Sequence, residues 1–343
     1  MGALFQRYRL GLLLPFAALV LAVVIHAIYW VVVAGGVEER AVAWIEAQER
    51  AGYEIEHGGL RVTGYPFRFS LRAAAPVITA PENAGGWRAG FDRLAASAQF
   101  YNLDHWIVTF GGPARVTTQN AGETAVYRVE ADAARLSLAA SSGATTRVGA
   151  ELDGFTLAAE SGPEALVEHV GQVRLSGFLD ADDRLSFALE ALDVRLTASQ
   201  LEPAFMDAFG RTAQRMRLSG AMTQWDALAR TADPYVWTGE GGVLEIAGAQ
   251  LVFGPADLNG SGEITLDPQM RPTGRLSLIV TDPNTLIAAL EEAGLVYEEQ
   301  GEALRLFALM APRRDTGIAL PFRLQDGGLF LGPARIGSVG AVN

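Results

Sequence analysis

The segment from Leu10 to Ala34 constrains this chain more than any other feature. It is apolar apart from His26 and the polar ends of Tyr29 and Trp30, and it contains no Asp, Glu, Lys or Arg. Roughly 20 such residues in a helix span the ~30 Å hydrocarbon core of a bilayer. Because no comparable segment follows, we predict one transmembrane helix over residues 10–34, with a short tail at residues 1–9.

The charges at the two ends of this segment predict its orientation. Arg7 and Arg9 precede it, whereas Glu38 and Glu39 follow it. The positive-inside rule then places the N-terminus in the cytoplasm and the bulk of the chain in the periplasm, as a single-pass inner-membrane protein. A cleaved signal peptide is the alternative, although its apolar region is usually only about 7–15 residues long.

Composition excludes several kinds of chemistry. The chain has no Cys and no Lys, and all 27 basic residues are Arg. It therefore lacks a thiolate nucleophile, Cys-ligated metals and the lysine of a phosphate-binding loop. A net charge of −12 argues against a nucleic-acid partner, because binding to nucleic acid rests on neutralising phosphates.

The four histidines show no spacing typical of metal ligands. We therefore predict no metal, no cofactor, no catalytic residue and no enzymatic activity. A Ser-His-Asp site assembled only in space stays open as an alternative, because such sites are defined by geometry. His57, His105 and His169 are the candidates for it.

A juxtamembrane amphipathic helix is predicted over residues 37–51, continuing from the membrane segment. If the chain breaks at Gly35 and Gly36, Glu38 and Glu39 would suit the first turn of a separate helix. Gly52 is expected to end it, as a glycine beyond a helix C-terminus often does. Its apolar stripe recurs at helical spacing and consists of Val37, Ala41, Trp44, Ile45 and Gln48.

After Gly52 the apolar residues recur at every second position, which is typical of half-buried antiparallel strands. Around Asp193 the apolar set changes parity, which predicts a bulge or bend. The pattern predicts a mainly β fold with a few helices, an extended curved antiparallel sheet that is half-barrel or sandwich-like. This β-rich domain would cover residues 52–343, with two similar halves at about 52–198 and 199–343.

Three helices are expected to interrupt the strands, at Gln200–Met216, Pro283–Ala293 and Glu298–Ala311. Turns are expected at residues 259–262 and 272–274, where Gly, Asn, Ser and Pro cluster. A repeated Gly-Pro pattern at residues 254–255 and 332–333 suggests two copies of one hairpin.

Apolar side chains on two of these strands are candidates for a lipid-binding groove, although ordinary core packing would produce the same alternation. The candidates are Tyr65, Phe67, Phe69, Leu71, Leu185, Phe187 and Leu189.

Two blocks of residues carry a family resemblance. The first runs from the apolar segment through Gly64-Tyr65-Pro66-Phe67-Arg68-Phe69, and the second from Val252-Phe253-Gly254-Pro255 to the closing Gly332-Pro333. Together they resemble the uncharacterised bacterial envelope family called domain-of-unknown-function family 2125. That family is similar to AsmA-like membrane-anchored β proteins, which implies a curved sheet with an apolar groove for lipid and no catalytic residue to carry over.

The function predicted from these observations is a membrane-anchored, non-enzymatic periplasmic protein that binds or shields lipid-like molecules in the cell envelope. A scaffold or accessory subunit that binds envelope proteins is the main alternative. A hydrolase with a spatially assembled site is the minor one.

Overall fold

The computed structural model describes residues 2–120, 123–141, 144–231, 233–314 and 317–342. Side chains are described from residue 18 onward, except at residues 120, 144 and 145. The chain divides into two compact units, residues 1–119 (unit 1) and 120–343 (unit 2). The fold is mostly antiparallel sheet behind one long apolar N-terminal helix, as predicted.

Helix α1 of unit 1 runs without interruption over Gly2–Arg50. The helix does not break at Gly35 and Gly36: both glycines stay helical, so the juxtamembrane helix continues from the membrane segment as predicted. Its part Ala18–Arg50 includes a stretch of mean hydropathy 2.4, long and apolar enough by length and composition to cross a membrane. Gly52, with φ of 93°, follows the end of the helix as predicted.

One face of α1 packs on the sheet of unit 1 from His26 onward. Val37 is buried on this face, and Ala41, Ile45 and Gln48 are half-buried. Trp44 departs from the predicted stripe, since 56% of it is exposed.

The remaining elements of unit 1 are antiparallel strands and one 3-10 helix at Glu82–Ala84. The strands are β1 (Glu54–Glu56), β2 (Leu60–Thr63), β3 (Arg68–Ala74), β4 (Val77–Thr79), β5 (Arg88–Gln99) and β6 (Asn102–Asn120). β5 is central, because it pairs with β3, β4 and β6.

Unit 2 is built on one antiparallel ladder in which most strands pair with their sequence neighbours. The sheet is curved and does not close into a barrel. Its strands are β7 (Glu123–Glu130), β8 (Ala133–Ser141), β9 (Ala144–Ser161), β10 (Val167–Leu179), β11 (Leu185–Leu196), β12 (Thr212–Met222), β13 (Leu244–Phe253), β14 (Ala256–Leu266), β15 (Pro272–Val280), β16 (Arg313–Arg314), β17 (Gly317–Gln325), β18 (Gly328–Leu331) and β19 (Ala334–Ser338).

Five α-helices are described in unit 2: α2 (Pro203–Phe209), α3 (Trp225–Thr231), α4 (Pro234–Gly239), α5 (Pro283–Glu292) and α6 (Glu298–Met310). The predicted helices at α5 and α6 are confirmed. The prediction of one helix over Gln200–Met216 is wrong. The helix ends at Phe209, and the second part of the predicted segment belongs to β12. Gly210 separates α2 from that strand, and from Thr212 the backbone pairs with β11.

A row of residues across β9, β10 and β11 marks the place where the apolar side chains change from one face of the strand to the other. Asp193 on β11 has φ of 53°, and Gly171 on β10 lies directly opposite it. Gly154 on β9, with φ of 59°, is the next member of the same row. A left-handed residue within a strand turns the following side chains to the other face, so the predicted bend at Asp193 is confirmed.

The two predicted turns at residues 259–262 and 272–274 lie instead within strands β14 and β15. A Cβ built on Gly274 would overlap the carbonyl oxygen of Glu263 on the neighbouring strand. Glycine is needed there because two backbones approach closely, which composition alone does not distinguish from a turn. The Gly-Pro pairs at 254–255 and 332–333 do connect hairpins, β13 to β14 and β18 to β19.

Candidate functional site

The register of unit 2 sorts its side chains into two faces of opposite character. On β11, Leu185, Phe187 and Leu189 point to one side, which we call the apolar face. Leu189 lies opposite Leu175 on β10 and Leu218 on β12. The apolar row therefore continues across neighbouring strands, since directly opposed residues share a face.

The opposite side, the polar face, carries alternating charges across the same strands. Glu151 on β9 lies 3.6 Å from Arg135 and 3.8 Å from Arg174. Glu190 on β11 accepts a 2.6 Å hydrogen bond from Arg217. The charged side chains therefore lie in register on one side of the sheet, and the apolar side chains lie on the other.

An ion pair joins β11 and β13 at the end of the polar face where β11 begins. The guanidinium of Arg184 donates two hydrogen bonds to the Glu245 carboxylate, at 2.7 and 2.5 Å. These bonds lower the pKa of Glu245, with a smaller Coulombic contribution from the same Arg184, and they raise the pKa of Arg184. The two parallel hydrogen bonds bridge β12 and so hold the start of β11 at a constant distance from the start of β13.

Helices cover only part of the apolar face. Ala308 and Ala311, at the end of α6, pack on Val280 of β15 and Ile318 of β17. The ring centroids of Phe205 and Phe209 of α2 lie 5.5 and 5.8 Å from the ring centroid of Phe253, at the end of β13.

On strands β9 to β12 the apolar face is less covered. The exposed fractions are 37% for Val148, 41% for Leu175, 38% for Leu189 and 44% for Met216. These four side chains lie on four consecutive strands and together form an open apolar patch.

The seven residues predicted to line a groove belong to both units. In unit 1, Tyr65 and Phe67 lie in the turn before β3 and are 49% and 70% exposed. Phe69 is completely buried, stacked on Trp30 of α1 at 5.5 Å. Leu71 is half-buried on β3.

In unit 2 the other three predicted residues are brought together. Leu185 and Phe187 are half-buried, and Leu189 belongs to the open apolar patch. That all seven residues line one groove stays a prediction.

Sequence reasoning missed three members of the open apolar patch. Met216 lies in the segment that the sequence predicts to be a helix, so its place on the apolar face of a strand is not apparent from the pattern. Leu175 alternates with Arg174 and Ser176, a period-two signal short enough to be overlooked beside Gly177. Val148 alternates with Arg147 and Gly149 in the same way.

The histidine candidates for a hydrolytic site occupy separate elements. His57 follows β1 and is exposed, with its Nδ1 accepting a 3.2 Å hydrogen bond from the Gly59 backbone. His105 lies on β6 in unit 1 and His169 on β10 in unit 2. Within the described residues, no group of three His, Cys, Asp or Glu side chains could hold a metal ion.

Comparison with known proteins identifies one relationship. The family model described as an uncharacterised protein conserved in bacteria (DUF2125) matches residues 30–339. No curated protein and no solved structure matches the chain. The match covers both units and the end of α1, so the chain belongs to the bacterial family DUF2125.

Proposed function

We propose that this chain is a non-enzymatic, membrane-anchored protein that holds lipid-like molecules on the apolar face of unit 2, in the periplasm. The observation that carries the proposal is the open apolar patch, Val148, Leu175, Leu189 and Met216, each more than a third exposed on a curved sheet. Contiguous apolar patches larger than a few hundred Å² are rare on soluble monomers, and such patches mark binding surfaces.

The arrangement fits an acyl chain better than a compact polar ligand. The patch runs across four strands, and neighbouring strands lie about 4.8 Å apart, so it extends over roughly 15 Å. Its side chains offer methyl and thioether groups with no charge among them. The anchor α1 supports the same reading, because it brings the chain to a membrane from which lipid could be taken.

The test uses the full chain in native-lipid discs with a phospholipid that carries a photoreactive diazirine near the end of its acyl chain. Leu189→Glu places a charge on the open apolar patch. Ala188→Glu places the same charge one residue away on the polar face. Since a charge in an apolar site is strongly disfavoured, Leu189→Glu should lower the yield of lipid adducts in unit 2 about tenfold.

Ala188→Glu should leave that yield unchanged. Adducts confined to α1 in the unaltered chain, or equal yields in the two variants, would contradict the proposal.

One further observation favours the second candidate function, a scaffold that binds another envelope protein. The outer side of α6 exposes 58% of Leu306, 67% of Leu309 and 72% of Met310. Such a helical ridge could fit a groove on a protein partner. Crosslinking in intact membranes from a photoreactive residue at position 309 would support this candidate if it captures one protein stoichiometrically.

A further inference from the structure

The docking of α1 on unit 1 begins in the middle of the apolar segment. His26 Nε2 lies 2.8 Å from the carbonyl oxygen of Pro66, and Trp30 Nε1 donates a 3.1 Å hydrogen bond to the carbonyl of Arg68. Tyr29 donates through its hydroxyl to the carbonyl of Phe100 at 3.4 Å. Residues 26–30 of the helix are therefore level with two turns of the sheet.

Those two turns lie side by side at one end of the unit 1 sheet. One joins β2 to β3 at residues 64–67, and the other joins β5 to β6 at residues 100–101. The backbone N–H of Phe100 donates to the carbonyl of Phe67 at 3.2 Å, and Arg68 pairs with Gln99 directly behind the turns.

The turns present large aromatic side chains to the outside. Tyr65 is 49% exposed, Phe67 70% and Tyr101 75%. Ile25, on the helix just before the docked part, is 58% exposed. Three exposed aromatic rings beside an apolar helix form a surface that water solvates poorly. Tyr and Trp rings in particular favour the membrane interface.

Helix length places this surface at the edge of a bilayer. With a rise of 1.5 Å per residue, the roughly 20 residues from Leu10 to Tyr29 extend about 30 Å, which equals the hydrocarbon thickness. If the span continued to Ala34, the turn at Pro66 would lie inside the hydrocarbon. Its peptide groups would then lack water, which is strongly unfavourable.

We propose that Tyr65, Phe67 and Tyr101 form an aromatic collar that inserts into the phospholipid interface around the emerging helix. The bilayer boundary then lies at His26–Trp30 rather than at Ala34. Arg68 follows Phe67 and is exposed, in a position to reach lipid phosphate while the rings lie deeper. The collar rests on the membrane anchoring of the proposed function but does not depend on lipid binding by unit 2.

The absence of Cys from the chain allows one fluorophore to be placed at a time. Phe67→Cys and Tyr101→Cys carry an environment-sensitive nitrobenzoxadiazole group in the full chain, reconstituted in vesicles of phosphatidylcholine and phosphatidylglycerol. Glu82→Cys is the aqueous control. Glu82 lies in the 3-10 helix before the start of β5, and the turn at residues 100–101 lies at the opposite end of that strand. Leu19→Cys is the control for the membrane span, because residue 19 lies near the middle of the segment from Leu10 to Tyr29. Resistance to trypsin verifies that each variant is folded.

The labels at positions 67 and 101 should show blue-shifted emission, strong quenching by phosphatidylcholine with a nitroxide near the headgroup, and little quenching by iodide. The label at position 82 should show the reverse. Iodide quenching at 67 and 101 equal to that at 82 would overturn the collar. If Leu19→Cys is also open to iodide, membrane anchoring itself fails, so the two failures are distinguishable.

Discussion

Phe69 in unit 1 and Leu189 in unit 2 occupy similar positions in sequence but very different environments. Each is an apolar residue on an alternating strand with polar neighbours. Phe69 is fully buried, whereas 38% of Leu189 is exposed. The difference comes from a distant segment: Trp30 of α1 covers Phe69, whereas Leu189 lies in the open apolar patch. Alternation therefore predicts which face is apolar, but the path of the rest of the chain decides whether that face is covered.

The largest effect expected from this comparison is that of Phe69→Ala. Removing a buried, stacked ring should lower the free energy of unfolding of unit 1 by about 3–5 kcal/mol. Leu189→Ala should cost unit 2 only about 1 kcal/mol or less, since much of its side chain is already in contact with solvent. Pulse proteolysis of the full chain in urea measures both, and similar losses at the two positions would remove the distinction between a covered and an open face.

A smaller effect tests how the sheet of unit 2 is built. Gly274→Ala would force a methyl group against the Glu263 carbonyl and should destabilise unit 2 by about 1–3 kcal/mol. Gly248→Ala on β13 is the matched control, because its nearest neighbour would be Ser219 Oγ at 3.4 Å. Urea midpoints for unit 2 compare the two. A Gly274→Ala variant as stable as the control would mean that the close approach of β14 and β15 is not required.

The smallest effect is a pH dependence of the stability of unit 2. Arg184 holds the pKa of Glu245 below its ordinary value of 4.5. A carboxylate with a lowered folded-state pKa stabilises the fold fully above its unfolded-state value, and this contribution is lost as the pH falls through the folded-state pKa. Unit 2 should therefore weaken as the pH drops below about 4.5.

Glu245→Gln should make unit 2 less stable at neutral pH and reduce its loss of stability on acidification. Glu240→Gln, at an exposed position after α4, serves as the control. Thermal melts at a series of pH values provide the measurement. An unchanged acid dependence in Glu245→Gln would show that the pair with Arg184 contributes nothing to it.

The sequence predicted the fold where the signal is local. The apolar length of α1, the alternation from Leu185 to Ala191 and the change of parity at Asp193 each follow from short-range geometry. The caps of α5 are of the same kind, because Asp282 Oδ1 accepts a 3.1 Å hydrogen bond from the Thr285 backbone and Gly294 ends the helix with φ of 71°. Such features depend on a few neighbouring residues and on no distant contact.

The predictions that were wrong involve residues whose conformation is set by distant partners. Gly262 and Gly274 resemble turn residues, but neighbouring strands require them as strand residues without side chains. Met216 follows α2 with a helix-like spacing of apolar residues, yet it pairs with Ala191 on β11.

The candidate site was half predictable for the same reason. Leu185, Phe187 and Leu189 were found by alternation on one strand. Their neighbours Leu175 and Met216 lie on adjacent strands, and only the pairing register brings them together. The exposure that makes the patch a candidate site depends on where α2, α5 and α6 lie, which no pattern within β11 contains.

The most direct test of the central claim, that the apolar face of unit 2 is open to acyl chains, is a nitroxide scan of β11. Single cysteines at positions 185–191 of the full chain carry a spin label, in membranes, and collisions with oxygen and with a polar nickel complex are measured. We predict that oxygen accessibility exceeds nickel accessibility at positions 185, 187 and 189, and that the order reverses at positions 186 and 188. Low accessibility to both reagents at 185, 187 and 189 would show a face filled by protein and would contradict the account.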